Sequence, residues 1–153
     1  MECVAPVSSG PPGENSLPSH EGDGKARAGV RATRLLLVED DFFVGTELEY
    51  QLRAAGFEVI GVAATATEAI ELAGVGRPDL AIMDIRLAGP QDGIEAATEL
   101  KARYGVRSIF ASAHSDAATQ RRAEKAEPLG WLAKPYEIDT LIKMIERLLV
   151  QRH

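Results

Sequence analysis

Glu39 and Asp40 follow the apolar run 35–38, Asp84 follows 80–83, Ser112 follows 109–111 and Lys134 follows 131–133. Short apolar runs of this kind read as parallel strands, and the carboxyl ends of an open parallel sheet form its ligand crevice. The polar positions are therefore expected to converge. If Glu39, Asp40 and Asp84 approach to about 4 Å, each like-charge pair costs about 4 kcal/mol at an effective dielectric of about 20. One Lys134 does not offset three carboxylates, whereas a hard divalent cation does. Mg²⁺ favours a site with few carboxylates that keeps several waters and leaves room for a phosphate oxygen. Lys134 then offers a point charge to phosphate, Ser112 a hydroxyl donor, and Asp84 a carboxylate able to attack phosphorus. Together these groups describe an acyl-phosphate site, because phosphoryl transfer needs mostly positioning and charge neutralisation.

The elements that must position these groups follow from periodicity. From Leu35 onward, short β-rich runs alternate with helical spacing, the mark of repeated βα units. The strands are expected at 35–38, 58–63, 79–84, 107–112 and 131–133. The first helix should follow Phe42, capped by Asp41, with Val44, Leu48, Leu52 and Ala55 on one face and Gly56 as its stop. Thr65 and Glu68 make a capping box for the second helix. Ile94, Ala97 and Leu100 mark the third. Ser115 is expected to cap the fourth, whose apolar positions are mostly alanine and bury little area. Pro128 should cut that helix short. Ile138, Leu141, Ile142, Ile145, Leu148 and Leu149 give the fifth helix the strongest apolar stripe in the chain. Strict alternation implies an α/β, doubly wound, five-stranded parallel sheet of order 2-1-3-4-5, with its switch point between strands one and three.

These residues resemble the receiver domains of two-component response regulators, which share this flavodoxin-like order. The likeness rests on Leu-Val-Glu-Asp-Asp at 37–41, Met-Asp-Ile-Arg-Leu at 83–87, Asp-Gly-Ile-Glu at 92–95, Ser-Ala-His at 112–114 and Lys-Pro at 134–135. The resemblance implies that Asp84 is the phosphoacceptor and that Glu39 and Asp40, with Asp84 and the backbone carbonyl of Arg86, hold Mg²⁺. It also implies that Ser112 follows the phosphoryl group, that Lys134 pairs with it, and that Trp131 occupies the switch aromatic position. Arg86 and His114, two residues past Asp84 and Ser112, are placed to tune hydrolysis. The chain departs from the family pattern in its bulkier Trp131 and in the segment Ala-Glu-Pro-Leu-Gly at 126–130.

Composition bounds the rest. The 153 residues, 45% apolar and 26% charged, suit one globular domain, and the formal charge of −6 without a basic stripe excludes direct nucleic-acid binding. Arg121, Arg122 and Lys125 form only a local basic edge, read as a solvated face. Residues 1–33, rich in proline and glycine, are expected to be a disordered extension ahead of a receiver at 34–153. Cys3 is the single cysteine, and neither a secretory signal nor a membrane span is legible, so a cytoplasmic protein is expected.

The expected function is a stand-alone phosphorylation switch, not an enzyme, which takes part in its own phosphotransfer and dephosphorylation. Its partners would be a sensor histidine kinase or histidine phosphotransfer protein upstream. Downstream, a protein would bind the surface of the fourth helix, fifth strand and fifth helix, and a homodimer stays open. One alternative is a phosphate sink for a shared kinase. A flavodoxin-like cofactor binder would need a phosphate-cradling loop after the first strand, where Glu39, Asp40 and Asp41 would repel phosphate. An aspartyl phosphatase usually carries a second acid two residues past its nucleophile, where this chain has Arg86.

Overall fold

The computed structural model describes residues 31–113 and 115–151. Its elements are β1 (Arg34–Val38), α1 (Phe42–Ala54), β2 (Glu58–Ala63), α2 (Ala66–Gly76), β3 (Leu80–Met83), α3 (Gly93–Tyr104), β4 (Arg107–Ser112), α4 (Ala117–Arg122), β5 (Gly130–Ala133) and α5 (Ile138–Gln151). A 3₁₀ turn, Ala123–Ala126, continues α4. All strand pairs are parallel and the order is β2-β1-β3-β4-β5. The expected topology and switch point are thus present.

Side-chain alternation along the strands divides the core into two layers. Leu35, Leu37, Ile82, Ile109 and Leu132 face α1 and α5, meeting Leu52, Leu141 and Ile145. Leu36, Val38, Met83 and Phe110 face α2, α3 and the 3₁₀ turn, meeting Ala69, Ala73, Ile94, Ala97 and Leu100. In α5 the expected stripe buries Leu141 and Ile145 completely, while Ile138, Ile142, Leu148 and Leu149 pack at its margins.

Helix starts follow local hydrogen bonding, with two corrections. Asp41 caps α1 as expected, its carboxylate accepting from the Phe43 and Val44 amides at 2.9 and 3.1 Å. The Thr65 hydroxyl accepts from the Glu68 amide, but the Glu68 carboxylate accepts from the Ala64 amide at 2.8 Å, one residue before the cap. The reciprocal box is therefore displaced. At α4 the cap is Asp116, which accepts from the Thr119 amide at 2.8 Å, and not Ser115, whose carbonyl accepts from the Gln120 side chain instead. A carboxylate one residue closer to the helix outcompetes the hydroxyl for the free amide.

The weakness expected of α4 is present: it buries none of its side chains, and only Ala123 and Ala126 of the following turn reach the core. The chain then passes through Glu127 at φ 48°, immediately ahead of Pro128. β3 is shorter than expected, because Asp79 and Asp84 lie outside the four-residue ladder. Cys3, His114 and nearly all of the 1–33 extension lie outside the described residues.

Candidate phosphoryl-transfer site

Three of the site residues are anchored by backbone hydrogen bonds that prolong the sheet. The Glu39 amide donates to Ala63 O at 2.9 Å, the Asp84 amide to Val38 O at 3.0 Å, and the Lys134 amide to Ser112 O at 2.9 Å. These three bonds fix the backbones from which Glu39, Asp84 and Lys134 meet. Lys134 Nζ donates to Glu39 Oε2 at 3.1 Å and to Asp84 Oδ2 at 3.2 Å, so the lysine spans from β5 to the ends of β1 and β3. One ligand oxygen each from Glu39, Asp40 and Asp84 lies within 4.8 Å of the others.

Burial differs among the acids in a useful way. The side chains of Glu39 and Asp84 are 8% and 13% exposed, whereas Asp40 faces solvent. Burial, then the neighbouring Asp84, raises the Glu39 pKa from 4.5 to about 7, although Lys134 pulls it down. Burial lowers the Lys134 pKa, but Asp84 and Glu39 together outweigh it and the net shift is upward. A carboxyl whose pKa is raised first by burial and then by a neighbouring acid is the electrostatic mark of a buried cluster short of positive charge. Three convergent oxygen ligands, one open to water, fit a hard cation such as Mg²⁺.

Ser112 is buried at the end of β4 and shares a hollow of about 390 Å³ with Ile85, Arg86, Asp116 and Thr119. Extending the β3–β4 register, in which Met83 pairs with Phe110, sets Ser112 opposite Ile85, one step beyond Asp84. Trp131 pairs with Phe110 in the ladder and stacks on its ring at 4.7 Å between centroids and 24° between planes. It is part of the core layer on the α3 side, half-buried.

Three contacts beside the site were not read from the sequence, although the residues that make them were named there. Asp92 caps α3 in a full capping box with Glu95, a pairing that Asp92-x-x-Glu95 spells out. Arg122, taken as part of a solvated basic edge, forms an ion pair with Asp92 at 2.9 Å. Gly93 lies directly against the backbone of Asp84, a contact between loop and helix that no local pattern signals.

The family model for the response regulator receiver domain matches residues 35–146. The transcriptional regulatory protein PdtaR of Mycobacterium tuberculosis is 36% identical over 113 residues, covering 74% of this chain and 55% of that protein. The phyllosphere-induced regulator PhyR of Methylorubrum extorquens is 33% identical over 127 residues, 82% of this chain and 47% of PhyR. The chain spans about half the length of these curated relatives. Among solved structures, the signal receiver domain of a modulated diguanylate cyclase from Desulfovibrio desulfuricans G20 superposes with a TM-score of 0.71 at 38% identity, covering 76% of this chain and 93% of its own. A CheY-like receiver domain from Methanospirillum hungatei JF-1 gives 0.68 at 26% identity, covering 79% and 96%.

Proposed function

The chain belongs to the response regulator receiver domain family, and from that premise we propose that Asp84 accepts a phosphoryl group from a phosphohistidine on a sensor kinase or phosphotransfer protein. An Asp84 carboxylate oxygen attacks phosphorus, the P–O bond forms as the P–N bond breaks, and the donor histidine, protonated beforehand on its other ring nitrogen, leaves as neutral imidazole. The observation that carries this reading is Lys134 Nζ between Glu39 and Asp84, with Asp40 beside them. Glu39, Asp40 and Asp84 are the side chains that would hold Mg²⁺, with the Arg86 carbonyl as a fourth ligand. When bound, the ion supplies charge neutralisation at the phosphoryl oxygens.

Lys134 already donates to an Asp84 oxygen, so it is within reach of a phosphoryl group attached there. Ser112 is the hydroxyl that would follow that group, drawing on Trp131 and the loosely held α4 to alter the surface of α4, β5 and α5. Output on this reading is by binding, and the domain does not turn over a substrate of its own. No helix among the described residues is long and apolar enough to cross a membrane.

Incubation with acetyl phosphate and Mg²⁺ is expected to label Asp84, and Asp84→Asn to abolish labelling while the circular dichroism spectrum is unchanged. Undiminished label in Asp84→Asn would sink the assignment. Lys134→Ala is expected to retain some labelling but to lose the surface change, followed through the fluorescence of Trp131, the only tryptophan in the chain.

A further inference from the structure

Gly93, the first residue of α3, donates its amide to Ile85 O at 2.6 Å. A Cβ at this position would overlap the Asp84 carbonyl oxygen and stand 2.8 Å from Asp84 C and 2.9 Å from Ile85 Cα. Real Cβ atoms do not come that close to backbone, so the start of α3 and the Asp84–Ile85 peptide are in contact with no slack. Where α3 begins therefore constrains the Asp84 backbone on the side away from its amide bond to Val38 O.

The start of α3 is in turn held by one carboxylate with two tasks. Asp92 Oδ1 accepts from the Glu95 amide at 3.0 Å, and Glu95 Oε1 accepts from the Asp92 amide at 3.0 Å. Asp92 Oδ2 accepts from Arg122 Nη2 at 2.9 Å. Arg122 is the last residue of α4, the helix that buries none of its side chains. A chain of contacts thus runs from α4 through Arg122, Asp92 and Gly93 to the backbone of Asp84.

We propose that Arg122 and Asp92, acting through Gly93, are positioning residues for the phosphoacceptor, so that the state of α4 sets the reactivity of Asp84 by a path separate from Ser112 and Trp131. The inference rests on the reading of Asp84 as phosphoacceptor. By linkage, a partner that holds α4 in place would alter phosphorylation as phosphorylation alters partner binding.

The test follows the rate of Asp84 labelling by acetyl phosphate in the presence of Mg²⁺. Arg122→Gln and Asp92→Asn each remove the ion pair, and the asparagine side chain still offers an oxygen to the Glu95 amide. Each is expected to lower the maximal rate roughly two- to five-fold, the range open to an exposed ion pair, with the acetyl phosphate concentration for half-maximal rate unchanged. The double variant should be no slower than either single, since both remove one contact, and Arg122→Lys should recover part of the rate. Gly93→Ala, which forces the Asp84 peptide aside, is expected to lose on the order of 100-fold. Arg121→Gln removes the same charge one residue away and should label at the wild-type rate.

Folded Arg122→Gln and Asp92→Asn proteins that label at the wild-type rate would overturn the inference and leave the phosphoacceptor reading intact. So would an equal slowing by Arg121→Gln. Absence of label in the wild-type protein, or its persistence in Asp84→Asn, would instead overturn the phosphoacceptor reading and this inference with it.

Discussion

Glu39 takes the electrostatic load of the site. Its carboxyl is buried beside Asp84, and Lys134 neutralises only part of the cluster, so its pKa rises to about 7 from 4.5. The folded state therefore keeps a proton that the unfolded chain releases between those values, and stability contributed by this group is full below about pH 4.5 and lost as pH rises through about 7. Metal-free protein is expected to lose about 2 kcal/mol from this source on going from about pH 5 to pH 8. Glu39→Gln should flatten that part of the thermal-melt pH profile and melt higher than wild type at the upper end. Mg²⁺ titrated calorimetrically should bind more weakly as pH falls through neutrality, because its ligands must be deprotonated. Equal pH profiles for wild type and Glu39→Gln would count against a strained carboxylate cluster. The meeting of Glu39, Asp40, Asp84 and Lys134 was legible because these residues follow apolar runs, and a parallel sheet brings the ends of such runs together whatever the intervening sequence. Gly93 was not, since its neighbour is set by how a loop and a helix meet, and Arg122 was not, since its partner lies 30 residues away.

At the scale of elements, α5 and α4 are opposites. Complete burial of Leu141 and Ile145 contributes about 1.5–3 kcal/mol for each side chain, whereas α4 is held by its Asp116 cap, a Gln120 contact and the Arg122 ion pair. Local opening of α4 exposes almost no apolar surface, so its amides are expected to exchange with deuterium at least about 100-fold faster than those of central α5. Comparable protection in the two helices would contradict a mobile α4. This contrast was legible, because an alanine-rich stretch before Pro128 has little to bury and a six-residue apolar stripe has much. The cap of α4 was not, because Ser115 and Asp116 are both good caps and only the backbone decides which amide each reaches. β4 holds a further test: Ser108 Oγ is buried without a hydrogen-bond partner among the described residues. Ser108→Ala is expected to stabilise the protein by about 1 kcal/mol, seen as a higher midpoint in urea.

On the scale of the whole domain, a hollow and an exposed aromatic pair lie beside Lys134 on the sheet face that carries α1 and α5. Lys134 edges a hollow of about 730 Å³ between α1 and the β5–α5 connection, lined by Phe43, Val44, Leu48, Tyr136 and Ile138. Phe43 is 80% exposed and touches Phe42 edge-on at 5.6 Å between centroids, leaving an aromatic pair uncovered at the mouth of the site. Aromatic side chains are enriched at protein interfaces, and on the proposed reading the nearness of this pair to Lys134 suits a protein that presents a phosphohistidine to Asp84. Acetyl phosphate, in contrast, needs no such surface. Phe43→Asp removes the anchor without touching the core, so transfer from a phosphohistidine protein should fall at least about tenfold relative to labelling by acetyl phosphate. A proportionate fall with both donors would mean that Phe43 acts on the site itself and not on docking. The turn that continues α4 packs on the opposite face of the sheet from α5, so on the proposed reading a donor docked at Phe43 is expected to leave α4 itself free, although Ile138 at the start of α5 lines the same hollow. Saturating an α4 partner should then change the rate of phosphotransfer without competing for the donor, which separates coupling from simple blockage in a titration of one against the other.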